Sequence, residues 1–136
     1  MSDEWIKWIP WEGLPSKMYL ERFVDDKSGI SFLMTGKDGS QIQIVFDGSV
    51  LSYRNTDEGR RLKTINFLEQ KYGKEFYATW SMFKVVKSEY LEWFGQETYN
   101  MYNDYSIVHY VFLTCNDILE VLSTYEPQIT FINNKG

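Results

Sequence analysis

Residues 105–123 read YSIVHYVFLTCNDILEVLS and form the longest apolar run of the chain, interrupted only by Asn116 and Asp117. A strand that is buried on both faces loses the usual alternation of apolar and polar residues. Both faces are apolar here, which favours two antiparallel core strands joined by a tight turn. We therefore predict a hairpin in the middle of a sheet, with Val111 and Leu113 buried.

The composition indicates one globular domain covering residues 1–136. Hydrophobic residues make up 43% and charged residues 24%, which is ordinary for a folded domain of this size. The longest uncharged stretch, residues 105–116, is too short and too polar to span a bilayer, and residues 1–17 lack the pattern of a secretory signal. We expect a cytoplasmic protein with no membrane segment.

Residues 17–54 alternate short β-rich runs with turn residues. The pairs Asp38-Gly39 and Asp47-Gly48 stand where the chain must reverse, because glycine accepts a positive φ without a steric penalty. The pattern predicts a four-stranded antiparallel meander. One face of its third strand is apolar, and we expect a helix to cover that face.

Two helices follow from capping signals. The first is predicted at about 57–72, with Leu62, Ile65, Leu68 and Tyr72 as its buried stripe and Gly73 after its last residue. The second is predicted at about 88–95, capped by Ser88 and ended by Gly95. Residues 76–86 are predicted as a strand, although Ala78 and Met82 are also compatible with a helix, and residues 128–133 as the last strand. The fold class is α+β, mainly antiparallel sheet.

The N-terminal segment spaces Trp5, Trp8 and Trp11 three residues apart, but Pro10 prevents one helix from carrying all three. We expect a strap that lies across the core. A carbohydrate-stacking platform is the functional alternative, and the sequence leaves the role of the three tryptophans open.

No motif of catalysis is present. His109 is the only histidine, and neither a serine nucleophile elbow nor a glycine-rich phosphate loop occurs. Glu120 and Arg54 interrupt strands of apolar or small residues, so we expect a structural ion pair, with His109 as a core imidazole satisfied by backbone or by a carboxylate such as Glu120. We therefore predict no catalytic residue, cofactor or metal site, and leave open whether these three residues are structural or functional.

The charges are distributed unevenly. Residues 59–87 hold seven basic and two acidic side chains, whereas no Lys or Arg occurs between Ser88 and Asn134, where seven acids stand. Aromatic residues are enriched at protein interfaces, and one sign of charge steers an oppositely charged partner. The alternative is that the acids solvate a face while the tyrosines cover a sheet edge. The predicted partner-binding residues are Glu89, Glu92, Trp93, Glu97, Tyr99, Tyr102 and Asp104.

Three segments carry a resemblance to a known class of proteins: residues 52–73 (SYRNTDEGRRLKTINFLEQKYG), residues 87–94 (KSEYLEWF) and residues 109–127 (HYVFLTCNDILEVLSTYEP). Their pattern resembles that of small bacterial cytosolic immunity-type proteins, which neutralise secreted toxins. The resemblance implies a binding protein rather than an enzyme, and it assigns no binding residue.

Two classes of function follow. The first is an immunity protein that occludes a basic toxin domain, such as a nuclease, through the acidic, aromatic segment. The second is a small-molecule-binding domain or minor enzyme with an aromatic-lined pocket built from Trp5, Trp8, Trp11, Trp80 and Tyr110. Nucleic-acid binding is disfavoured, because aromatic stacking on bases normally accompanies a basic groove. The basic residues Arg60, Arg61, Lys63 and Lys71 are more simply a solvated helix face. The sequence does not indicate an oligomeric state.

Overall fold

A computed structural model describes residues 2–132 of the chain. These residues form an α+β fold with nine strands in two antiparallel sheets. The strands are β1 (Glu4–Lys7), β2 (Met18–Asp26), β3 (Gly29–Gly36), β4 (Gln41–Asp47), β5 (Ser52–Asp57), β6 (Met82–Val86), β7 (Val108–Leu113), β8 (Asp117–Ser123) and β9 (Gln128–Ile132). The helices are α1 (Leu62–Tyr72), α2 (Glu75–Ala78) and α3 (Glu89–Glu97), and a 3-10 turn at Glu58–Arg60 precedes α1. Within residues 2–132, every helix is too short or too polar to cross a membrane.

The predicted hairpin is confirmed as the centre of the larger sheet. That sheet has the order β1-β6-β7-β8-β5, so β7 and β8 both lie in its interior. Val111 and Leu113 are fully buried, as expected. Thr114 closes the turn, because its Oγ1 accepts a hydrogen bond from the Asp117 N–H at 3.0 Å.

Only three of the four strands of the predicted meander stay together, as β2, β3 and β4 of the smaller sheet. The fourth, β5, instead pairs with β8 at the edge of the larger sheet, where Arg54 lies directly opposite Glu120. The backbone crosses between the sheets right after the Asp47-Gly48 turn, and the Leu51 N–H donates to the Leu122 carbonyl at 2.9 Å. Strand β9 takes the vacant place beside β4.

The two sheets pack face to face and bury the aromatic core between them. Phe32 and Phe46 of the smaller sheet contact Phe112 of the larger sheet, with ring centroids 4.7 and 6.4 Å apart. The prediction that a helix covers the dry face of the meander was therefore wrong, because the larger sheet covers that face. The helices pack on the opposite side of the larger sheet, which is apolar on both faces and so lies in the middle of three layers.

Helix α1 begins later than predicted. Residues 58–60 form the 3-10 turn, capped by the Asp57 side chain, which accepts from the Gly59 N–H at 2.7 Å. Arg61 breaks the helical backbone before α1 starts at Leu62. Gly73 follows the helix with a φ of 85°, as expected for a residue after a helix C-terminus. Leu62 was wrongly assigned to the buried stripe, because it is the first residue of α1 and is 72% exposed, whereas Leu68 is fully buried.

The second predicted helix is confirmed as α3, with Ser88 as its N-cap, although it runs two residues past Gly95. The segment predicted as a strand at 76–86 divides into α2 and β6. Residues 128–132 form the last strand as predicted, and Asn133 lies outside the described residues.

The N-terminal segment is an edge strand rather than a strap. Trp5 pairs with Val85 in β1 and packs under α1 and α2, whereas Trp8 is buried between the two sheets against Tyr110. The two indoles therefore lie on opposite faces of the larger sheet. Trp11 is 44% exposed and stacks on Phe131 at 5.0 Å.

Candidate functional site

Helix α3 is anchored by its first turn and by its apolar side. Ser88 Oγ accepts the Leu91 N–H at 3.0 Å, which satisfies one of the free donors at the helix N-terminus. Tyr90 and Phe94 are buried against the larger sheet together with Leu122. Side chains four positions apart lie on one helix face, so Glu89, Trp93 and Glu97 form a carboxylate, indole and carboxylate stripe that points to solvent.

The structure places six of the seven predicted partner-binding residues on the surface. Trp93 is 49% exposed and Tyr99 is 94% exposed, so both aromatic rings are accessible. Tyr102 is different, since it is partly buried and packs on Phe94 with ring centroids 5.5 Å apart. The exposed residues of α3 and the following loop are here named the acidic-aromatic surface: Glu89, Glu92, Trp93, Glu97, Tyr99, Met101, Asp104 and Tyr105.

A strained backbone displays Tyr99. The Asn100 N–H donates to the Gly95 carbonyl at 2.8 Å and the Tyr99 N–H to the Gln96 carbonyl at 3.3 Å, which is the Schellman arrangement of a helix end. Glycine usually occupies the left-handed position of this motif, but here it is Tyr99, with a φ of 52°. A tyrosine in this conformation costs about 1–2 kcal/mol. Backbone strain of this kind concentrates at functional sites.

Behind α3, the buried carboxylate of Glu120 is hydrogen-bonded to the two other residues that sequence analysis singled out, Arg54 and His109. Its oxygens accept from Arg54 Nε at 2.7 Å and Nη2 at 3.1 Å, from Arg61 Nη1 at 2.7 Å and from His109 Nε2 at 2.8 Å. These four residues are named the Glu120 cluster. Burial alone raises the pKa of Glu120, but the hydrogen bonds from His109 and Arg54 outweigh it and hold that pKa well below its usual range. The predicted contacts of Glu120 with Arg54 and His109 are confirmed.

Arg61 was missed, because it stands in a basic run that was interpreted as a solvated helix face. Its side chain is only 18% exposed. Besides Glu120, it binds Thr64 Oγ1 at 3.1 Å through Nη2. The break between the 3-10 turn and α1 falls at this residue, and no local sequence signal distinguishes it from Arg60 or Lys63.

His109 connects the Glu120 cluster to α3. A carboxylate only accepts hydrogen bonds, so His109 Nε2 donates to Glu120, and the other ring nitrogen, Nδ1, is hydrogen-bonded to the Ser88 hydroxyl at 2.7 Å. This Ser-His-Glu chain has the residue types of a hydrolytic triad. The Ser88 hydroxyl, however, already serves as the helix cap, and all three residues are at most 6% exposed. The arrangement holds the start of α3 on the sheet.

Two residues of the cluster, Arg54 and Arg61, also line a cleft of about 420 Å³ beside α3. Arg54 Cζ lies 4.1 Å from the centroid of the Tyr90 ring, and the Tyr90 and Trp93 rings are stacked with centroids 5.8 Å apart. We name this feature the arginine cleft; its lining residues are Asp3, Arg54, Thr56, Arg61, Glu89, Tyr90 and Trp93.

The aromatic pocket considered as the alternative does not assemble as predicted. Trp5 and Trp8 lie on opposite faces of the larger sheet, and Trp11 stacks on Phe131 at the surface. Trp80 donates its Nε1–H to the Trp8 carbonyl at 3.0 Å, and Tyr110 is fully packed between the sheets. Trp5, Trp8 and Tyr110 therefore belong to the core, whereas Trp80 is partly buried and Trp11 is exposed.

Lys17 is a partly buried charge that sequence analysis missed, because it stands at the edge of a turn-rich segment. Its Nζ donates to the carbonyls of Tyr77 at 2.6 Å, Trp80 at 3.3 Å and Leu113 at 2.7 Å. Burial lowers the pKa of Lys17 to about 8. The ammonium ties the start of β2 to the end of β7.

Within residues 2–132, no group of three or more His, Cys, Asp or Glu side chains is arranged to hold a metal ion. Comparison of the chain with protein-family models, with curated proteins and with solved structures found no match.

Proposed function

We propose that this protein binds a basic protein partner through the acidic-aromatic surface and acts by occlusion rather than by catalysis. The observation that carries the proposal is the stripe of Glu89, Trp93 and Glu97 on α3, continued by the 94% exposed ring of Tyr99. A large exposed aromatic side chain between carboxylates offers both apolar area and charge to a partner with the opposite charge.

Lys87 leaves the charge of this surface available. It lies beside α3, but its Nζ is 2.8 Å from a Glu4 carboxylate oxygen. By contrast, Glu92, Glu97 and Asp104 make no ion pair with any residue in the described part of the chain. Their combined charge is free to attract a basic surface over a distance of about 8 Å at physiological ionic strength.

The partner class that fits is a toxin domain with a basic active site, such as a nuclease, whose catalytic surface must attract phosphate. The resemblance of residues 52–73, 87–94 and 109–127 to immunity-type proteins supports the same assignment. In this role the protein covers the basic surface of the toxin in the cytoplasm and needs no catalytic residue, metal or cofactor of its own.

The experiment is capture of partners on the immobilised protein, followed by affinity measurement with the purified partner. Glu97→Lys should weaken the complex at least about tenfold, since reversal places two like charges at the contact. Glu21→Lys is the matched control, because Glu21 is an exposed acid on β2 of the other sheet. Equal affinities for wild type, Glu97→Lys and Trp93→Ala would place the binding surface elsewhere. Protection of cells that express the partner tests the neutralising role.

A further inference from the structure

The arginine cleft presents hydrogen-bond donors that no described residue uses. Glu120 already accepts four hydrogen bonds, and a carboxylate has about four lone-pair sites. Arg54 Nη1 and Arg61 Nε therefore have no acceptor among residues 2–132, and the Arg54 side chain is 44% exposed. The Thr56 hydroxyl lines the same cleft.

Two of the lining side chains are positively charged. Arg54 and Arg61 share the single carboxylate of Glu120, so their two charges are not balanced within the Glu120 cluster. Glu120 also holds both arginine side chains in place, so they need little rearrangement to receive an anion. Guanidinium groups bind carboxylates in this way, through two parallel N–H donors.

The cleft is also lined by two carboxylates, those of Asp3 and Glu89. Asp3 Oδ1 accepts the Glu89 N–H at 2.7 Å, while Asp3 Oδ2 has no hydrogen bond within residues 2–132. Glu89 lines the cleft with its own carboxylate, which accepts the Ser2 N–H at 3.3 Å. A simple anion bound to the arginines would be repelled by these two carboxylates, whereas a molecule that also carries an ammonium group would be attracted by them.

The third feature of the arginine cleft is its pair of aromatic rings. The Tyr90 and Trp93 rings stack beside Arg54, and half of the Trp93 surface is accessible. A flat apolar group of a ligand can pack on the exposed indole.

We propose that the arginine cleft binds a free α-amino acid with a flat apolar side chain. Its carboxylate binds Arg54, Arg61 and Thr56, its ammonium group faces Asp3 and Glu89, and its side chain packs on Trp93. The cleft volume of about 420 Å³ is within the range of small-molecule sites. This site goes beyond the proposed protein partner and does not depend on it.

The test is isothermal titration with three matched probes: L-phenylalanine, 3-phenylpropionate, which lacks the ammonium group, and 2-phenylethylamine, which lacks the carboxylate. L-phenylalanine should bind about tenfold or more tightly than either analogue, because each analogue leaves either the arginines or the carboxylates of the cleft without a partner. Equal affinity for 3-phenylpropionate would reduce the cleft to an anion site and overturn the proposal. No heat from L-phenylalanine at millimolar concentration would also overturn it.

Variants of the lining residues test which part of the ligand each residue binds. Asp3→Asn keeps an oxygen for the Glu89 N–H but removes the charge, so it should weaken binding of phenylalanine and strengthen binding of 3-phenylpropionate, which no longer meets that repelling charge. Asp38→Asn, on the β3 to β4 turn, removes an exposed charge far from the cleft and should change neither affinity. Glu97 belongs to the acidic-aromatic surface but does not line the cleft. Glu97→Lys should therefore leave phenylalanine binding unchanged, so loss of the protein complex and loss of this site can be told apart. Unchanged phenylalanine binding in Asp3→Asn and in Trp93→Ala would contradict the assignment.

Discussion

At the scale of single residues, Tyr99 combines two uncommon properties: a left-handed backbone and an aromatic ring that is 94% exposed. Neither property stabilises the folded chain. Selection for stability alone would place glycine at the left-handed position of the Schellman motif. The tyrosine is therefore explained best by a role outside the fold, which is the role proposed for the acidic-aromatic surface.

Tyr99→Gly should raise the free energy of unfolding by about 1 kcal/mol, because glycine has no Cβ penalty at positive φ. The same variant should bind the partner less tightly. Tyr99→Ala is the control, since it removes the ring but keeps the backbone penalty, and it should weaken binding without the gain in stability. Urea unfolding measures the first effect. A destabilised Tyr99→Gly would show that the ring contributes to the fold.

Glu120 carries a second prediction. Glu120→Gln leaves Arg54 and Arg61 without their shared carboxylate, and removing one partner of a buried ion pair costs about 3 kcal/mol or more. The pKa of Glu120 lies below its ordinary value of 4.5, so its contribution is present above that pH and is lost as the pH falls further. The difference in free energy of unfolding between wild type and Glu120→Gln should therefore become smaller on going from neutral pH to about pH 3.

Urea unfolding of both proteins across this range provides the measurement. The control is Glu21→Gln, because Glu21 is exposed on β2 and its removal should leave the acid dependence unchanged. If the difference in free energy of unfolding between wild type and Glu120→Gln does not change with pH, the charge of Glu120 is not what stabilises the cluster.

Sequence analysis identified most of this cluster because charges stand out in apolar strands. Glu120 and His109 interrupt the buried hairpin, and Arg54 interrupts β5, so their pairing could be expected. The contact of Arg61 with Glu120 could not be expected, because Arg61 stands among other basic residues and the sequence does not indicate which of their side chains points inward. The Arg61 side chain that reaches Glu120 stands at a backbone break between the 3-10 turn and α1, which no local residue pattern marks.

At the scale of elements, local patterns predict what a segment forms better than what it pairs with. The hairpin of β7 and β8, the N-cap of α3 and the glycine that ends α1 all follow from residues close in sequence. The partner of β5 does not. A meander was expected because consecutive strands usually pair, but β5 crosses to the other sheet and places Arg54 opposite Glu120, 66 residues away.

The central hairpin gives the prediction at this scale. Val111→Asp should cost several kcal/mol, since an unpaired carboxylate cannot be solvated at a site with no exposed surface. Thr130→Asp is the matched control, because Thr130 is exposed on β9, and it should change stability by about 0.5 kcal/mol or less. A Val111→Asp variant that melts with the wild type would contradict the central position of this strand.

At the scale of the whole molecule, the residues that stabilise the fold and the residues of the proposed interface lie in different layers. The larger sheet is covered by the smaller sheet on one face and by the helices on the other, so its strands form the core. Helix α3 covers one part of this sheet with Tyr90 and Phe94 and presents its charged side to solvent. Substitutions on the outer side of α3 should therefore change binding while the fold remains intact.

This separation allows a kinetic prediction. Glu92, Glu97 and Asp104 are exposed and make no ion pair with another described residue, so they should act mainly before contact, by steering a basic partner. Reversal of Glu92 or Glu97 to lysine should lower the association rate and weaken its dependence on salt, because steering is screened over about 8 Å at physiological ionic strength.

Trp93 should act after contact. Its indole is 49% exposed in the free protein, and burying the rest of it in a complex makes it the anchor that slows dissociation. Trp93→Ala should therefore raise the dissociation rate, at a cost of about 2 kcal/mol or more in affinity, with little change in association rate. Surface plasmon resonance at several salt concentrations separates the two rates, and the melting temperature of the free variant controls for folding. If the acids change only the dissociation rate, or if Trp93→Ala changes only the association rate, steering and anchoring are not divided between these residues. In that case the partner docks by a different route, and the exposed pair of Trp11 and Phe131 on the opposite side of the larger sheet is the next surface to substitute.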